Sequence, residues 1–233
     1  MNKSIIKLMS VVAGALILIP VSSALSDEVK SNSVRIGFYD VFYHATATDI
    51  TGPYVPAGVN LDVKNVKTLY FAYIRRLTPE WDLEIAAGLP PKTETVGKGP
   101  ATLGSVPYNG EVISTAKWFA PTVLINYNIL GEGYKVRPYI GVGFNYTTFY
   151  DRRSTAAGDA ASGGPTKISL SPSVGPAATA GLSYKPTPNI GIYASYSITR
   201  VNSHLTTNTA GVIRTSSIKF GPQALVVSVG YAF

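Results

Sequence analysis

The side chains able to do chemistry are sparse in this chain and badly spaced for catalysis. His44 and His204 are the only imidazoles, and cysteine is absent. A metal site needs three or four convergent ligands, and neither histidine has such companions at ligand spacing, so no metal and no cofactor is expected. Ser203-His204 sets a nucleophile beside a base, but neighbours in an extended strand point to opposite faces. No Gly-x-Ser-x-Gly elbow occurs anywhere. Gly97-Lys98-Gly99-Pro100 lacks both the Ser or Thr after the lysine and the strand-to-helix setting of a phosphate loop. The expectation is a protein that is not an enzyme.

Other residues gain meaning only from the elements that hold them. Eight segments alternate apolar and small or polar residues with period two, the signal of a half-buried strand: residues 34–42, 61–74, 81–89, 116–128, 137–150, 168–184, 190–199 and 218–233. At the end of the chain, Leu225, Val227, Val229, Tyr231 and Phe233 share one face, while Val226, Ser228, Gly230 and Ala232 share the other. About ten residues suffice for a tilted strand to cross a membrane, and lipid tolerates no unpaired sheet edge. Between the strands, short links (75–80, 129–136, 185–189) alternate with long ones (43–60, 90–115, 151–167, 200–217). With a periplasmic amino end, every short link falls on the periplasmic side and every long one outside. The expected fold is therefore all-β: an eight-stranded antiparallel transmembrane β-barrel of a bacterial outer membrane, with periplasmic termini and four long extracellular loops. A soluble barrel would need bulky aliphatic residues inside, whereas strands five to seven offer Gly, Ser, Thr and Asn there. The loops, such as residues 154–165, look mobile and in need of no core of their own.

Composition agrees. Charged residues are 14% against roughly 25% in soluble domains, mean hydropathy is +0.16, and tyrosine (15) outnumbers Phe (8) and Trp (2). Residues 1–24 read as a cleaved export signal, with Lys3 and Lys7, an apolar core and Ser22-Ser23-Ala24, leaving 25–233 for the barrel. Formal charge is +7, but the basic residues form no stripe, so nucleic acid is not an expected partner.

On this frame Arg35, Asp82 and Glu84 point into the lumen. Buried charges persist when paired, so they read either as a network plugging the lumen or as a polar pore lining. Pro121 removes a ladder donor inside strand four. It reads as a bulge at the rim or as a break in the wall. Apolar residues gather where strands leave the membrane: Tyr54, Val55, Leu61, Val63, Leu89, Phe149 and Tyr150. They form either an outward-facing pocket for a small hydrophobic ligand or anchors in the interface.

Several stretches carry a resemblance. Val34-Arg-Ile-Gly-Phe38, Trp81-Asp-Leu-Glu-Ile-Ala-Ala87, Ala120-Pro-Thr-Val-Leu-Ile-Asn-Tyr127, Arg137-Pro-Tyr-Ile-Gly-Val-Gly-Phe-Asn-Tyr-Thr-Thr-Phe149 and Val229-Gly-Tyr-Ala-Phe233 are similar to the OmpW family of outer-membrane proteins, including its AlkL-like members. The resemblance implies passive uptake of small hydrophobic molecules through an outward pocket, with lateral release into the membrane. It also implies lipid and lipopolysaccharide as surroundings, and the barrel-assembly machinery as a partner that reads terminal Phe233. Some members serve as colicin or phage receptors. A structural, adhesive or receptor barrel with a plugged lumen, and a narrow ion-conducting pore, are the alternatives.

Overall fold

A computed structural model describes residues 31–130 and 133–233. The export signal read in residues 1–24 lies outside them. In chain order the strands are β1 (Asn32–Tyr43), β2 (Thr46–Ala47), β3 (Asn60–Val63), β4 (Val66–Arg76), β5 (Trp81–Gly88), β6 (Lys92–Lys98), β7 (Thr102–Leu103), β8 (Val106–Pro107), β9 (Val112–Phe119), β10 (Thr122–Asn128) and β11 (Val136–Ser154). Helix α1 (Ala156–Ser162) follows, then β12 (Thr166–Leu170), β13 (Ser173–Tyr184), β14 (Ile190–Thr199), β15 (Asn202–Thr209), β16 (Val212–Lys219) and β17 (Pro222–Ala232).

Eight strands close a barrel in the order β1-β4-β5-β10-β11-β13-β14-β17, every pair antiparallel, with β17 returning to β1. The pleat sorts the side chains as the alternation demands. Val34, Ile36 and Phe38 of β1, Ile140, Val142 and Phe144 of β11, and Leu225, Val227 and Val229 of β17 all face outward, with Phe38 74% and Phe144 68% exposed. An apolar belt of this extent around every wall suits lipid, not water. Short turns join the strands at one end, where the described amino end and Phe233 also meet through Asn32–Phe233 backbone hydrogen bonds.

The opposite end is more built than the sequence indicates. Apart from β11, each barrel strand breaks at the rim and resumes above it, several breaks lying at proline: Pro90 and Pro91 after β5, Pro121 before β10, Pro172 before β13 and Pro222 opening β17. Proline cannot donate to a ladder, so the chain uncouples there from its barrel neighbour and pairs elsewhere. The continuations form two sheets, β3-β6-β9 leaning on the upper half of β11, and β12-β15-β16-β2. The expectation of mobile, coreless loops is thus corrected. Residues 154–165 include α1, capped by the Thr155 hydroxyl on the Gly158 amide and ended by left-handed Gly163. Residues 200–217 are mostly the β15–β16 hairpin, and strands two, four, six and eight as read from sequence are each two elements. A core of Leu61, Val63, Trp118, Phe149, Leu205, Ile218 and Phe220 joins both sheets to the barrel rim.

Candidate functional site

Between the two sheets lies a cavity that opens outward. Its floor is aromatic: Phe149 stacks on Phe220 at 5.2 Å, Tyr43 meets Phe220 edge-on at 6.1 Å, and Trp118 stands beside them. The Trp118 indole N–H donates to Thr93 Oγ1 at 2.9 Å, which fixes the ring against the wall. Leu61, Val63, Ile113, Ile168, Leu205 and Ile218 complete the apolar sides. Tyr108 closes one flank by donating to the Asn60 carbonyl at 2.6 Å, and burial pushes its phenol up to about 12.

Of the residues expected here, Tyr54, Val55, Leu61, Val63 and Phe149 line this cavity. Tyr54 stands at the mouth, 89% exposed and with φ of 62°. Leu89 and Tyr150 do not line it. Leu89 continues the outward parity of Leu83 and Ile85, and Tyr150 that of Val142 and Phe144, so the pleat turns both away from the lumen. Trp118, Phe220, Leu205 and Ile218 were missed by the sequence reading. Trp118 shares lumen parity with Leu124 and Asn126, a signal the alternation did hold.

Below the cavity the lumen holds two smaller spaces. Tyr43, Trp118, Phe149 and Phe220 also line a smaller space beneath, and Tyr39, Ala120 and Thr199 join that space to a third. The third chamber reaches the wall. Pairing of β5 with β10 ends at Ala86–Thr122, and pairing of β6 with β9 begins only at Lys92–Lys117. Between these points residues 87–91 face 118–121 without a ladder. Pro121 faces the other neighbour, β11: its carbonyl accepts from the Tyr146 amide at 3.0 Å and from Asn145 Nδ2 at 3.3 Å, and it has no N–H to return. The chamber side of the gap is small throughout: Ala86, Ala87, Gly88, Ala120 and Thr122.

A charged layer lies under that chamber. Glu84 accepts from the Tyr70 hydroxyl at 2.6 Å, from Asn126 Nδ2 at 2.7 Å and from Arg35 Nη1 at 3.4 Å. The Arg35 guanidinium rests 3.7 Å from the Tyr193 ring centre, a cation–π contact, and Tyr139 lies on its other flank at 5.9 Å. The lumen glycines make room for these rings: a Cβ on Gly181 would fall 2.4 Å from Tyr139, and one on Gly191 2.5 Å from the Tyr193 hydroxyl. Arg35 and Glu84 are 8% and 5% exposed. Removing one partner from such a pair typically costs about 3–5 kcal/mol, because the other charge is left buried alone. Asp82, one layer nearer the turns, accepts from Asn128 Nδ2 at 2.8 Å. The cavity on the far side of this layer shares no lining residue with the chamber above.

His44 and His204 form no metal site with other residues; among the described residues no three His, Asp or Glu side chains gather for one. His204 Nδ1 instead lies 3.4 Å from the Ser217 hydroxyl, and the Ser203 hydroxyl donates to the Ser171 carbonyl at 2.7 Å.

A lipid-facing belt around a closed, antiparallel eight-stranded wall defines an outer-membrane β-barrel. The chain belongs to the OmpW family, whose sequence pattern matches residues 31–233. It is 25% identical over 226 residues to outer membrane protein W of Vibrio cholerae, covering 95% of this chain and 98% of the relative. It is 34% identical over 124 residues to the dibenzothiophene metabolism operon protein PahQ of Pseudomonas aeruginosa; the match covers 51% of this chain and 53% of that protein, so about half of each is compared. The crystal structure of the outer membrane protein OprG from Pseudomonas aeruginosa superposes with a TM-score of 0.78 at 21% identity, covering 88% of this chain and 96% of OprG. The family places the protein in the bacterial outer membrane, with lipid and lipopolysaccharide around it. Family and fold are those of outer-membrane β-barrels.

Proposed function

We propose that the protein admits small hydrophobic molecules passively, taking them from outside into the cavity between the extracellular sheets and releasing them sideways into the membrane near Pro121. The observation that carries this reading is a stack of adjoining spaces. The aromatic floor of the cavity is shared with the space below it, and that space with the chamber at the unpaired stretch of wall. An apolar solute bound among Leu61, Trp118, Phe149 and Phe220 is protected from water, and its nearest apolar sink is lipid beyond a gap edged by small residues. The Arg35–Glu84 layer favours this exit over the periplasmic end, since a hydrophobic solute passing it would have to displace a desolvated ion pair. The dibenzothiophene operon in which PahQ is named fits a hydrophobic cargo.

The test is uptake of a radiolabelled aromatic hydrocarbon by cells with and without the protein, with Leu61→Asp as control. Expected is faster uptake with the protein, reduced to background by the charge placed in the cavity wall. Equal rates with and without the protein would sink the reading.

A further inference from the structure

We propose that the cavity recognises amphipathic acids, with the Arg214 guanidinium at its mouth taking the carboxylate while the hydrophobic body points to the aromatic floor. This rests on the pocket reading above and names its substrate class. Arg214 is the only charged side chain among the described residues that line the cavity. Its side chain comes from the β15–β16 hairpin and bonds neutral oxygens only: Nε to the Pro53 carbonyl at 3.2 Å, Nη1 to Thr209 Oγ1 at 3.3 Å and Nη2 to the Ser162 carbonyl at 3.3 Å.

Three structural segments are therefore tied together by one cation, yet no carboxylate among the described residues pairs with it. A guanidinium cannot shed its charge, and these three bonds leave two of its five N–H groups for another acceptor. The carbonyl at the end of α1 supplies only a fraction of a negative charge. A purely structural tie between neutral acceptors needs hydrogen-bond donors but not a full positive charge. Thr166, Thr207 and Ser162 line the cavity near Arg214, whereas Trp118, Phe149 and Phe220 line the floor; the hydroxyls of Thr93, Thr95 and Thr115 lie on the facing sheet, that of Thr93 occupied by the Trp118 indole. The cavity thus has one fixed positive charge at its mouth and an aromatic floor. A planar carboxylate matches the guanidinium in geometry as well as charge.

The experiment uses the full protein in lipid nanodiscs and follows fluorescence quenching of Trp118 by two probes of equal size, 4-phenylbenzoate and 4-phenylbenzyl alcohol, at neutral pH. Expected is that the acid binds at least about tenfold tighter than the alcohol, the lower end for a charge-assisted hydrogen bond. Arg214→Gln should bring the acid down to the affinity of the alcohol, and Arg214→Lys should keep part of the preference. Equal binding of the two probes by the unaltered protein overturns the proposal while leaving the hydrophobic pocket intact. A preference that survives in Arg214→Gln overturns it too. Should Arg214→Gln lose the alcohol as well, the tie between segments has failed, and Arg214→Lys decides: a retained preference supports the proposal and an abolished one overturns it. Binding of neither probe overturns the pocket reading and this proposal together.

Discussion

Lys185 opens the turn after β13 and is held among cations. Burial first, then the charges of Arg76 and Arg137, push its ammonium down from 10.5 to about 8, with Asp82 opposing. The folded protein therefore gives up this proton near pH 8, and the unfolded chain near 10.5. Between those values the unfolded state binds more protons, so stability rises with pH through that window and is lowest below it, where the full repulsion persists. Urea unfolding in lipid between pH 7 and 11 should show this rise, and Lys185→Gln should flatten it; an unchanged slope in the variant would assign the effect elsewhere. At the same scale the sequence discloses parity better than partners. Alternation alone turns Arg35 and Glu84 inward and Leu89 and Tyr150 outward. It does not disclose that Tyr70 and Asn126 complete the Glu84 site, because those contacts depend on how neighbouring strands are staggered.

The membrane half of each strand is written in its period-two pattern, and the breaks at the rim are written in proline. The extracellular halves are less legible for a physical reason. They keep alternation without an apolar belt, so β15 reads as a polar loop until β16 pairs with it from Asn202–Lys219 to Thr209–Val212. Likewise β9 seems to continue into β10, though it pairs with β6 while β10 pairs with β5. Pro121 sits at that change of partner. Pro121→Val supplies an N–H toward β11, where the Pro121 carbonyl already accepts from Tyr146, and a restored ladder bond is worth about 0.5–1.5 kcal/mol. The variant should unfold at slightly higher urea concentration, while hydrocarbon uptake and Trp118 quenching by a bound probe stay unchanged, because the unpaired side of the wall faces β5. Slower uptake in that variant would move the exit to the β10–β11 side.

On the scale of the molecule, the barrel and the structure above it are separable. The β14–β17 ladder runs from Ile190–Tyr231 to Ile198–Gln223 without help from the hairpin between those strands. Replacing β15 and β16 by a short turn should leave a barrel that still resists SDS and shifts on heating. Probe binding should be lost, since Leu205, Arg214 and Ile218 go with the hairpin. A barrel that no longer forms would mean that the upper sheets help the wall to close. The closing seam has a consequence of its own. Seven of the eight wall contacts join barrel strands that follow one another along the chain, but Ser33 faces Ala232 across nearly the whole described chain. Local hairpin growth can produce seven of these contacts in any order and never the eighth. Closing the wall therefore requires a meeting of distant segments, the kind of contact that high contact order delays, and lipid admits the sheet only as that seam forms. Until that meeting the unpaired edges are open to a wrong partner, so the time they must be shielded is set by this one seam.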